Sequence, residues 1–304
     1  MRLVFAGTPA VAVPSLEALA RRHDIAAVIT RVDAPLGRKR VLTPSPVADA
    51  ADRLGLATIK ANRLDADVTE KVAALDADLG VIVAYGGLVR EPLLSTPRQG
   101  WINLHFSLLP RWRGAAPVQW TIIAGDSESG ATVFQLQPGL DDGPIWRSAS
   151  TPVAPHETAG NLLARLSVSG ADLLADTVDG IADGRLHAGE QHGEVTLAPK
   201  LTIDDARLDF TADLDTVYRR LRGVTPEPGA FTEIDGTRVK IVDAAPARDH
   251  AGLEPGVVVA RDGHVYVGTA GAALELLTVH PAGKKAMRAA DWWRGLGAER
   301  MIAE

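Results

Sequence analysis

Residues 101–119, WINLHFSLLPRWRGAAPVQ, constrain the fold more than any other part of the chain. Apolar and polar residues alternate along their first half, in the order Ile102, Asn103, Leu104, His105, Phe106 and Ser107. A period of two predicts a β-strand whose two faces differ in polarity. A central strand of a parallel sheet is covered on both faces and normally apolar on both, so an amide and an imidazole on one face require an explanation.

The polar face of this strand has two explanations. In one, Asn103 and His105 are buried groups that hydrogen bond to neighbouring backbone. In the other, they belong to a functional site. Pro110 cannot donate a hydrogen bond to a neighbouring strand, so the strand is predicted to end near Leu109, with both polar residues close to its carboxyl end. Ligands of open α/β sheets bind at that edge, and this favours the functional explanation.

The residues that follow strengthen the prediction of a site at this edge. Residues 111–114 form a loop with two cations, a tryptophan and a glycine, and Pro117 then opens a helix over residues 118–124. A further strand is predicted over residues 132–136, and it leads into an acidic loop that contains Asp141. A carboxylate brought from one strand to a histidine on another can orient the imidazole and raise its basicity.

The amino-terminal half alternates strands and helices, which predicts an α/β domain with a Rossmann-like, mostly parallel sheet. Strands are expected over residues 2–6, 25–30, 57–60 and 79–84, and helices around residues 16–19, 47–54, 68–75 and 161–181. The turn Gly7-Thr8-Pro9 lacks the pattern GxGxxG, so a dinucleotide site is not expected. The zinc-protease pattern HExxH and the hydrolase pattern GxSxG are also missing.

The carboxyl-terminal part has the pattern of a small β-barrel of the OB kind. Two hairpins are predicted around Asp235-Gly236 and Asp262-Gly263, and a fifth strand over residues 273–279. Such barrels are common nucleic-acid-binding surfaces. The cations of this part are Arg219, Arg220, Arg222, Arg238, Lys240, Lys284, Lys285 and Arg288.

Composition excludes several classes of function. The chain of 304 residues has no cysteine, which rules out disulfides, thiolate metal sites and a cysteine nucleophile, and fits a cytoplasmic protein. Its first residues include only a short apolar stretch, so neither a signal peptide nor a membrane span is expected. No spacing of histidines and aspartates suggests a metal site, and none is expected. The net charge of -6 argues only weakly against a nucleic-acid partner, because local clusters of cations decide phosphate binding.

One cluster of cations lies in residues 31–46, RVDAPLGRKRVLTPSP, which include Arg38, Lys39 and Arg40. A loop of this length inside a compact α/β domain is usually functional or disordered. Charge pattern alone leaves a solvated basic loop equally open.

Residues 103–117, NLHFSLLPRWRGAAP, together with Gly139-Leu140-Asp141, resemble the signature of the folate-dependent formyltransferases. Within that family, the chain is similar to the members that act on methionyl-tRNA. Residues 280–287, HPAGKKAM, resemble a carboxyl-terminal motif of the same proteins, so the resemblance extends nearly from end to end.

The resemblance implies transfer of a formyl group from 10-formyltetrahydrofolate to the α-amine of initiator methionyl-tRNA. It assigns catalysis to Asn103, His105 and Asp141: the amide stabilises the oxyanion, the imidazole polarises the carbonyl or moves a proton, and the carboxylate holds the imidazole and a water. Asp142 is then expected to be a loop residue or a folate contact and not a second base. The folate contacts implied are Tyr85, Gly86, Leu88, Ser107, Leu108, Leu109, Pro110, Gln137 and Asp142. In the family, the loop at residues 85–88 is usually Tyr-Gly followed by apolar residues, and Gly87 departs from that pattern.

The resemblance also implies how the chain is organised and what it binds. Residues 1–189 would be the catalytic domain, 190–207 a linker, and 208–304 a tRNA-binding barrel. The family carries a basic loop at residues 31–46 that enters the acceptor arm of tRNA, which gives Arg38, Lys39 and Arg40 that role. Lys284 and Lys285 would contact tRNA as well. No membrane partner is expected, and we expect a monomer.

Three other functions stay open at this point. A folate-dependent formyltransferase that acts on a sugar nucleotide, on glycinamide ribonucleotide or on another small amine would share the same three catalytic residues, but would leave the basic loop and the cationic barrel without a role. A hydrolase could use Ser107 with His105 and Asp141. A non-catalytic RNA-binding protein could retain an inactive enzyme fold, although intact catalytic residues argue against it.

Overall fold

The computed structural model describes residues 1–37 and 39–304, which form two compact units. Unit 1 comprises Met1–Pro117, Glu128–Pro152 and Leu163–Pro199, and unit 2 comprises Val118–Ser127, Val153–Leu162 and Lys200–Glu304. Residues 190–199, expected in a linker, are thus grouped with unit 1.

Unit 1 is built on a twisted sheet whose strands follow the order β10-β9-β7-β6-β1-β2-β5. The strands of this unit are β1 Arg2–Gly7, β2 Asp24–Thr30, β3 Ala34–Leu36, β4 Val41–Thr43, β5 Thr58–Lys60, β6 Leu79–Val83, β7 Trp101–His105, β8 Arg113–Gly114, β9 Glu128–Gln135, β10 Ile145–Pro152 and β11 Leu197–Ala198. Strands β7, β6, β1, β2 and β5 pair in parallel, which confirms the predicted Rossmann-like sheet.

Strand β9 is antiparallel to β7, and β10 is antiparallel to β9. Gln135, at the end of β9, therefore lies opposite Ile102, near the start of β7, while Thr132 lies opposite His105. The acidic loop after β9 starts at the far edge of the sheet from the predicted site. It must turn back over the sheet to reach His105.

Close packing explains why β6 contains a glycine. A Cβ atom on Gly80 would lie 2.2 Å from the ring of Trp101 on the neighbouring strand. The Trp101 ring is fully buried, and its Nε1–H donates to the carbonyl of Leu93 at 2.8 Å. Glycine at position 80 thus makes room for a fully buried tryptophan.

Helices of the chain are α1 Val13–Ala20, α2 Pro46–Arg53, α3 Ala66–Ala73, α4 Pro117–Ala124, α5 Ala159–Ala182, α6 Leu214–Gly223 and α7 Ala289–Leu296. Helix α2 begins where the sequence predicts a start: Ser45 accepts a hydrogen bond from the amide of Ala48, and Pro46 occupies the first turn. In unit 1, α5 brings Gly170 next to Leu104 of β7 and to Phe106, which follows that strand.

Two sequence expectations for unit 1 are corrected. Strand β7 ends at His105 and not near Leu109, because residues 107–111 close a turn in which the Ser107 hydroxyl donates to the carbonyl of Arg111 at 2.6 Å. Residues 31–46 are not only a loop, since β3 and β4 pair as a short antiparallel hairpin. Arg38 lies outside the described residues.

Unit 2 contains the predicted barrel. Its strands are β12 Phe231–Ile234, β13 Thr237–Ala247, β14 Val257–Arg261, β15 His264–Gly268, β16 Ala273–Pro281, β17 Met287–Arg288 and β18 Met301–Ile302. They pair in the order β12-β13-β16-β15-β14-β18, with β17 on β16. A bridge between Ile234 and Ala303 brings the two ends of this sheet together, so the barrel is nearly closed.

The barrel confirms both predicted hairpins, but its helices were not expected. Asp235-Gly236 and Asp262-Gly263 adopt positive φ angles, as a two-residue turn between antiparallel strands requires. Helix α6 carries three of the cations that the sequence groups with the barrel, Arg219, Arg220 and Arg222. Arg222 is buried, with its guanidinium donating to the carbonyl of Glu157 at 3.0 Å, so it is not a surface cation.

Candidate active site

His105 ends strand β7 and is almost completely buried, with 6% of its surface exposed. The edge of its ring meets Phe134 of β9, with 6.3 Å between ring centroids. Its Nε2 atom lies 2.9 Å from the carbonyl oxygen of Trp112. Burial lowers the pKa of His105 below its ordinary value, and the charge of Asp141 and the bond to Trp112 offset this only in part.

The tautomer of His105 follows from this contact. A carbonyl oxygen can only accept, so Nε2 carries the proton and donates it to Trp112. A neutral imidazole then has an unprotonated Nδ1. That atom lies 3.7 Å from Oδ2 of Asp141. The imidazole therefore offers a free base nitrogen next to a carboxylate.

Asp141 is held in an unusual backbone conformation, with φ of 47°. Its Oδ2 accepts a hydrogen bond from the amide of Gly114 at 2.8 Å. Gly114 itself has φ of 126°, and a Cβ there would lie 2.7 Å from the carbonyl of Ala198. Glycine is thus required at position 114 for two reasons: its φ angle is positive, and the carbonyl of Ala198 leaves no room for a side chain.

Asn103 and Asp141 line one cavity of about 220 Å³ in unit 1. Buried Ile82 and Val89 form part of its apolar wall, and the other lining residues are Gly87, Leu88, Leu136, Gln137, Pro138, Gly139 and Leu140. A cavity lined mainly by apolar residues, with an amide and a carboxylate among them, suits a flat heteroaromatic ring. The structure brings Asn103, Asp141, Leu88 and Gln137 of the predicted set to this cavity.

The other predicted folate contacts lie in different surroundings. Ser107, Leu109 and Pro110 are buried in the turn after β7, where the amide of Leu109 donates to Thr132 Oγ1 at 3.2 Å. Leu108 packs near Gly130 of β9. Of the remaining predicted folate contacts, Tyr85 is buried, whereas Gly86 and Asp142 are exposed.

Gly87, which departs from the family pattern, has a packing reason in this structure. A Cβ atom at this position would lie 2.6 Å from Cε1 of Tyr85. The Tyr85 hydroxyl donates to the carbonyl of Ala61 at 2.7 Å, so the ring is fixed at both ends. Glycine allows the loop to cross the face of this tyrosine at the wall of the cavity.

Two residues at the site were not singled out from the sequence: Gln191 and Thr196. The Thr196 hydroxyl accepts a hydrogen bond from the amide of Trp112 at 2.9 Å, and β11 pairs in parallel with β8. Gln191 bonds to both Arg113 and the Asp141 loop. A polar segment without periodicity, residues 184–200, gave no signal that would reveal these contacts.

The predicted tRNA contacts are exposed where they are described. Lys39 and Arg40 lie between β3 and β4 of unit 1, and Lys284 and Lys285 lie between β16 and β17 of unit 2. Exposed cations are free to meet a phosphate backbone. Arg38, the first of the predicted contacts, lies outside the described residues.

Two searches of the described residues found nothing. Within residues 1–37 and 39–304, no group of three or more His, Asp or Glu side chains could hold a metal ion. No helix in the same part of the chain combines the length and the apolarity needed to cross a membrane.

Family models match both parts of the chain. The model described as "Formyl transferase" matches residues 1–178, and "Formyl transferase, C-terminal domain" matches residues 200–297. A curated protein of Clavibacter sepedonicus named methionyl-tRNA formyltransferase is 62% identical over 304 residues, covering 100% of both chains. The chain belongs to the methionyl-tRNA formyltransferase family. A protein of the same name from Streptomyces coelicolor is 52% identical over 97% of this chain and 96% of its own length.

Solved structures share the fold of this family member. An N-formyltransferase of Helicobacter canadensis, in complex with folinic acid and dTDP-3-aminofucose, superposes with a TM-score of 0.71, at 19% identity, over 90% of this chain and 98% of that chain. Glycinamide ribonucleotide transformylase 1 of Symbiobacterium toebii gives a TM-score of 0.53, at 21% identity, over 62% of this chain and 94% of its own. The second match covers a smaller share of this chain than the first.

Proposed function

We propose that the chain transfers the formyl group of 10-formyltetrahydrofolate to the α-amino group of methionyl-tRNA, the step that prepares the initiator for translation. The observation that carries the proposal is that the Asp141 carboxylate lies 3.7 Å from His105 Nδ1 and lines one cavity together with Asn103. Relatives of that name match the whole length of the chain, basic loop and barrel included.

The co-substrate fits the cavity by its chemistry. A pterin is flat and carries hydrogen-bonding edges, which suits a mainly apolar cavity that also contains an amide and a carboxylate. The walls from Ile82 and Val89 would take the ring faces. We assign further contacts to the predicted set in the two loops at the cavity and in the turn after β7.

In the reaction, the amine attacks the formyl carbon and negative charge develops on the formyl oxygen. Asn103 is half-buried at the cavity, and its side-chain N–H can donate to that oxygen. Donors placed for an oxyanion contribute on the order of a hundredfold or more in rate. The amide is therefore assigned to stabilisation of the developing charge.

His105 supplies the base. Its pKa is lowered by burial, so the imidazole is neutral near pH 7 and can accept a proton released by the amine. With Nε2–H bonded to Trp112, the proton goes to Nδ1. An imidazolium then lies 3.7 Å from the Asp141 carboxylate, which stabilises it. From there the proton can pass to the folate nitrogen that leaves.

The cationic segments are assigned to the second substrate. Arg38, Lys39 and Arg40 of the basic loop and Lys284 and Lys285 of the barrel would contact tRNA phosphates. Catalysis belongs to unit 1, and tRNA contacts to both units. We further propose that the protein acts as a monomer in the cytoplasm.

The test compares acceptors. Purified protein with 10-formyltetrahydrofolate is expected to formylate methionyl-tRNA far faster than free methionine or a sugar amine. His105→Ala is expected to lose most of the rate. Preference for a sugar amine would replace this function with the small-amine alternative, and equal rates for His105→Ala and wild type would reject the catalytic assignment.

A further inference from the structure

One carboxamide in unit 1 joins the two loops of the active site. Gln191 Nε2 donates to the carbonyl oxygens of Asp141 and Gly143, each at 2.8 Å. Gln191 Oε1 accepts from Arg113, at 3.1 Å from Nε and 2.7 Å from the terminal nitrogen. Both N–H groups and both lone pairs of the amide are therefore used.

The orientation of this amide is fixed by its partners. Arg113 can only donate, and the two carbonyls can only accept. A flipped amide would place its NH₂ group against the guanidinium and its oxygen against two carbonyl oxygens. A network in which every member is satisfied holds its parts rigidly. Gln191 thus fixes the distance between the loop at β8 and the loop at Asp141.

The Asp141 loop needs such support. The backbone of Asp141, in the left-handed region at a residue other than glycine, is strained, and strain of this kind persists only where the surroundings impose it. Gly143, two residues on, is so close to the carbonyl of Gln135 that a Cβ would lie 1.8 Å from it. The carboxylate contacts Gly114, but the Asp141 carbonyl depends on Gln191.

We propose that Gln191 is a positioning residue for catalysis: through the Asp141 carbonyl it holds the Asp141 carboxylate at working distance from His105. The inference rests on the proposed function for its kinetic test. Gln191 acts through another residue and has no assigned contact with either substrate. Loss of the Gln191 side chain should therefore lower the rate only in a protein in which residue 141 is charged.

A purely structural role makes a different prediction. If Gln191 only stabilised the fold, its loss would lower the melting temperature and reduce activity equally whatever residue stood at position 141. Among the titratable groups of residues 1–37 and 39–304, Asp141 is the one whose charge acts on the His105 imidazole. The two roles can therefore be separated by combining substitutions at positions 191 and 141.

The experiment is a double-mutant cycle with Gln191→Met and Asp141→Asn, measured as single-turnover formyl transfer. Gln191→Met keeps the length of the side chain and removes its hydrogen bonds. We expect a fall in rate of about tenfold in the wild-type background and less than about twofold in Asp141→Asn, a coupling typical of residues in direct contact. A tenfold loss in both backgrounds would overturn the proposal, and so would no loss in either.

Two further variants complete the design. Gln191→Glu keeps the acceptor for Arg113 and loses both donors to the Asp141 loop, so it tests the same coupling if Gln191→Met does not fold. His192→Ala changes an exposed neighbour in the same segment and is the matched control, expected to keep the wild-type rate and melting temperature.

A measurement that needs no tRNA can test the role of Gln191 independently of the proposed function. The pKa of His105, followed by NMR of labelled histidine, is expected to fall in Gln191→Met, because a displaced carboxylate no longer raises it. Absence of transfer to methionyl-tRNA in wild type would sink the proposed function and leave this measurement intact. An unchanged His105 pKa in a folded Gln191→Met protein would refute the positioning role.

Discussion

Asp141→Asn tests the electrostatic part of the mechanism. Asparagine keeps an oxygen that can accept from the amide of Gly114, so the loop should hold its place. Only the charge next to His105 is removed. The two groups are 3.7 Å apart and both largely buried, with side-chain exposures of 6% for His105 and 14% for Asp141.

The magnitude follows from the distance. Two unit charges about 4 Å apart interact with about 4 kcal/mol at an effective dielectric constant of about 20. A pair at this separation commonly shifts a pKa by about 1–3 units, which equals about 1.4–4 kcal/mol. We therefore expect the pKa of His105, already lowered by burial, to fall further in Asp141→Asn, because the carboxylate charge that raises it is gone. The rate of formyl transfer should fall by about 10- to 1000-fold, because the imidazolium loses the same free energy.

The assay is the single-turnover rate from pH 5 to 8, or thereabouts, the range in which histidine titrates. A lower pKa moves the acid limb to lower pH, since the imidazole stays neutral further into acid. Asp142→Asn removes a neighbouring, exposed charge and should change KM for the folate rather than this limb. The reasoning is refuted if Asp141→Asn keeps its rate within about twofold or moves the acid limb to higher pH.

Three further results are expected. Because the folded-state pKa of His105 is lowered, the free energy of unfolding should decrease as pH falls below about 6.5, and urea denaturation of His105→Gln should show a weaker pH dependence. Gly87→Ala should displace the ring of Tyr85, raise KM for 10-formyltetrahydrofolate severalfold and lower the melting temperature, because that ring is buried and bonded to Ala61, and an unchanged KM would contradict the packing reason. Lys284→Ala with Lys285→Ala should weaken tRNA binding and reduce the salt slope of log Kd by about two, whereas an unchanged slope would mean that both cations are only solvated.

The residues at the end of β7 could be predicted because their signal is local. A polar face on a central strand, followed by Pro110, predicts a site at the carboxyl edge whatever the rest of the sheet does. The direction of β9 could not be predicted, because the apolar pattern of a buried strand is the same whether the strand runs parallel or antiparallel to its neighbour. The strand pattern led to Asp141 by placing the end of β9 at the edge where β7 ends, whereas β9 is antiparallel to β7 and ends at the opposite edge. The closeness of Asp141 to His105 depends on the loop that turns back.

Helix α6 shows a signal that was present but not used. Leu214, Val217, Tyr218 and Leu221 recur at helical spacing and are all buried, and Asp213 caps the helix by accepting from the amide of Thr216 at 2.9 Å. Gln191 is different, since a single glutamine in a polar segment predicts nothing. Its role depends on partners about 50 and 80 positions away, which only tertiary structure brings together.

The parallel pairing of β8 with β11 bears on how the protein can be cut. A fragment that stops at residue 178, where the first family model ends, would lose Gln191, Thr196 and the strand that lies beside Gly114. Such a fragment would keep every residue of the signature but would lack the segment that hydrogen bonds to Arg113 and the Asp141 loop and pairs with Gly114. A minimal enzyme designed from this chain should therefore run at least to Pro199.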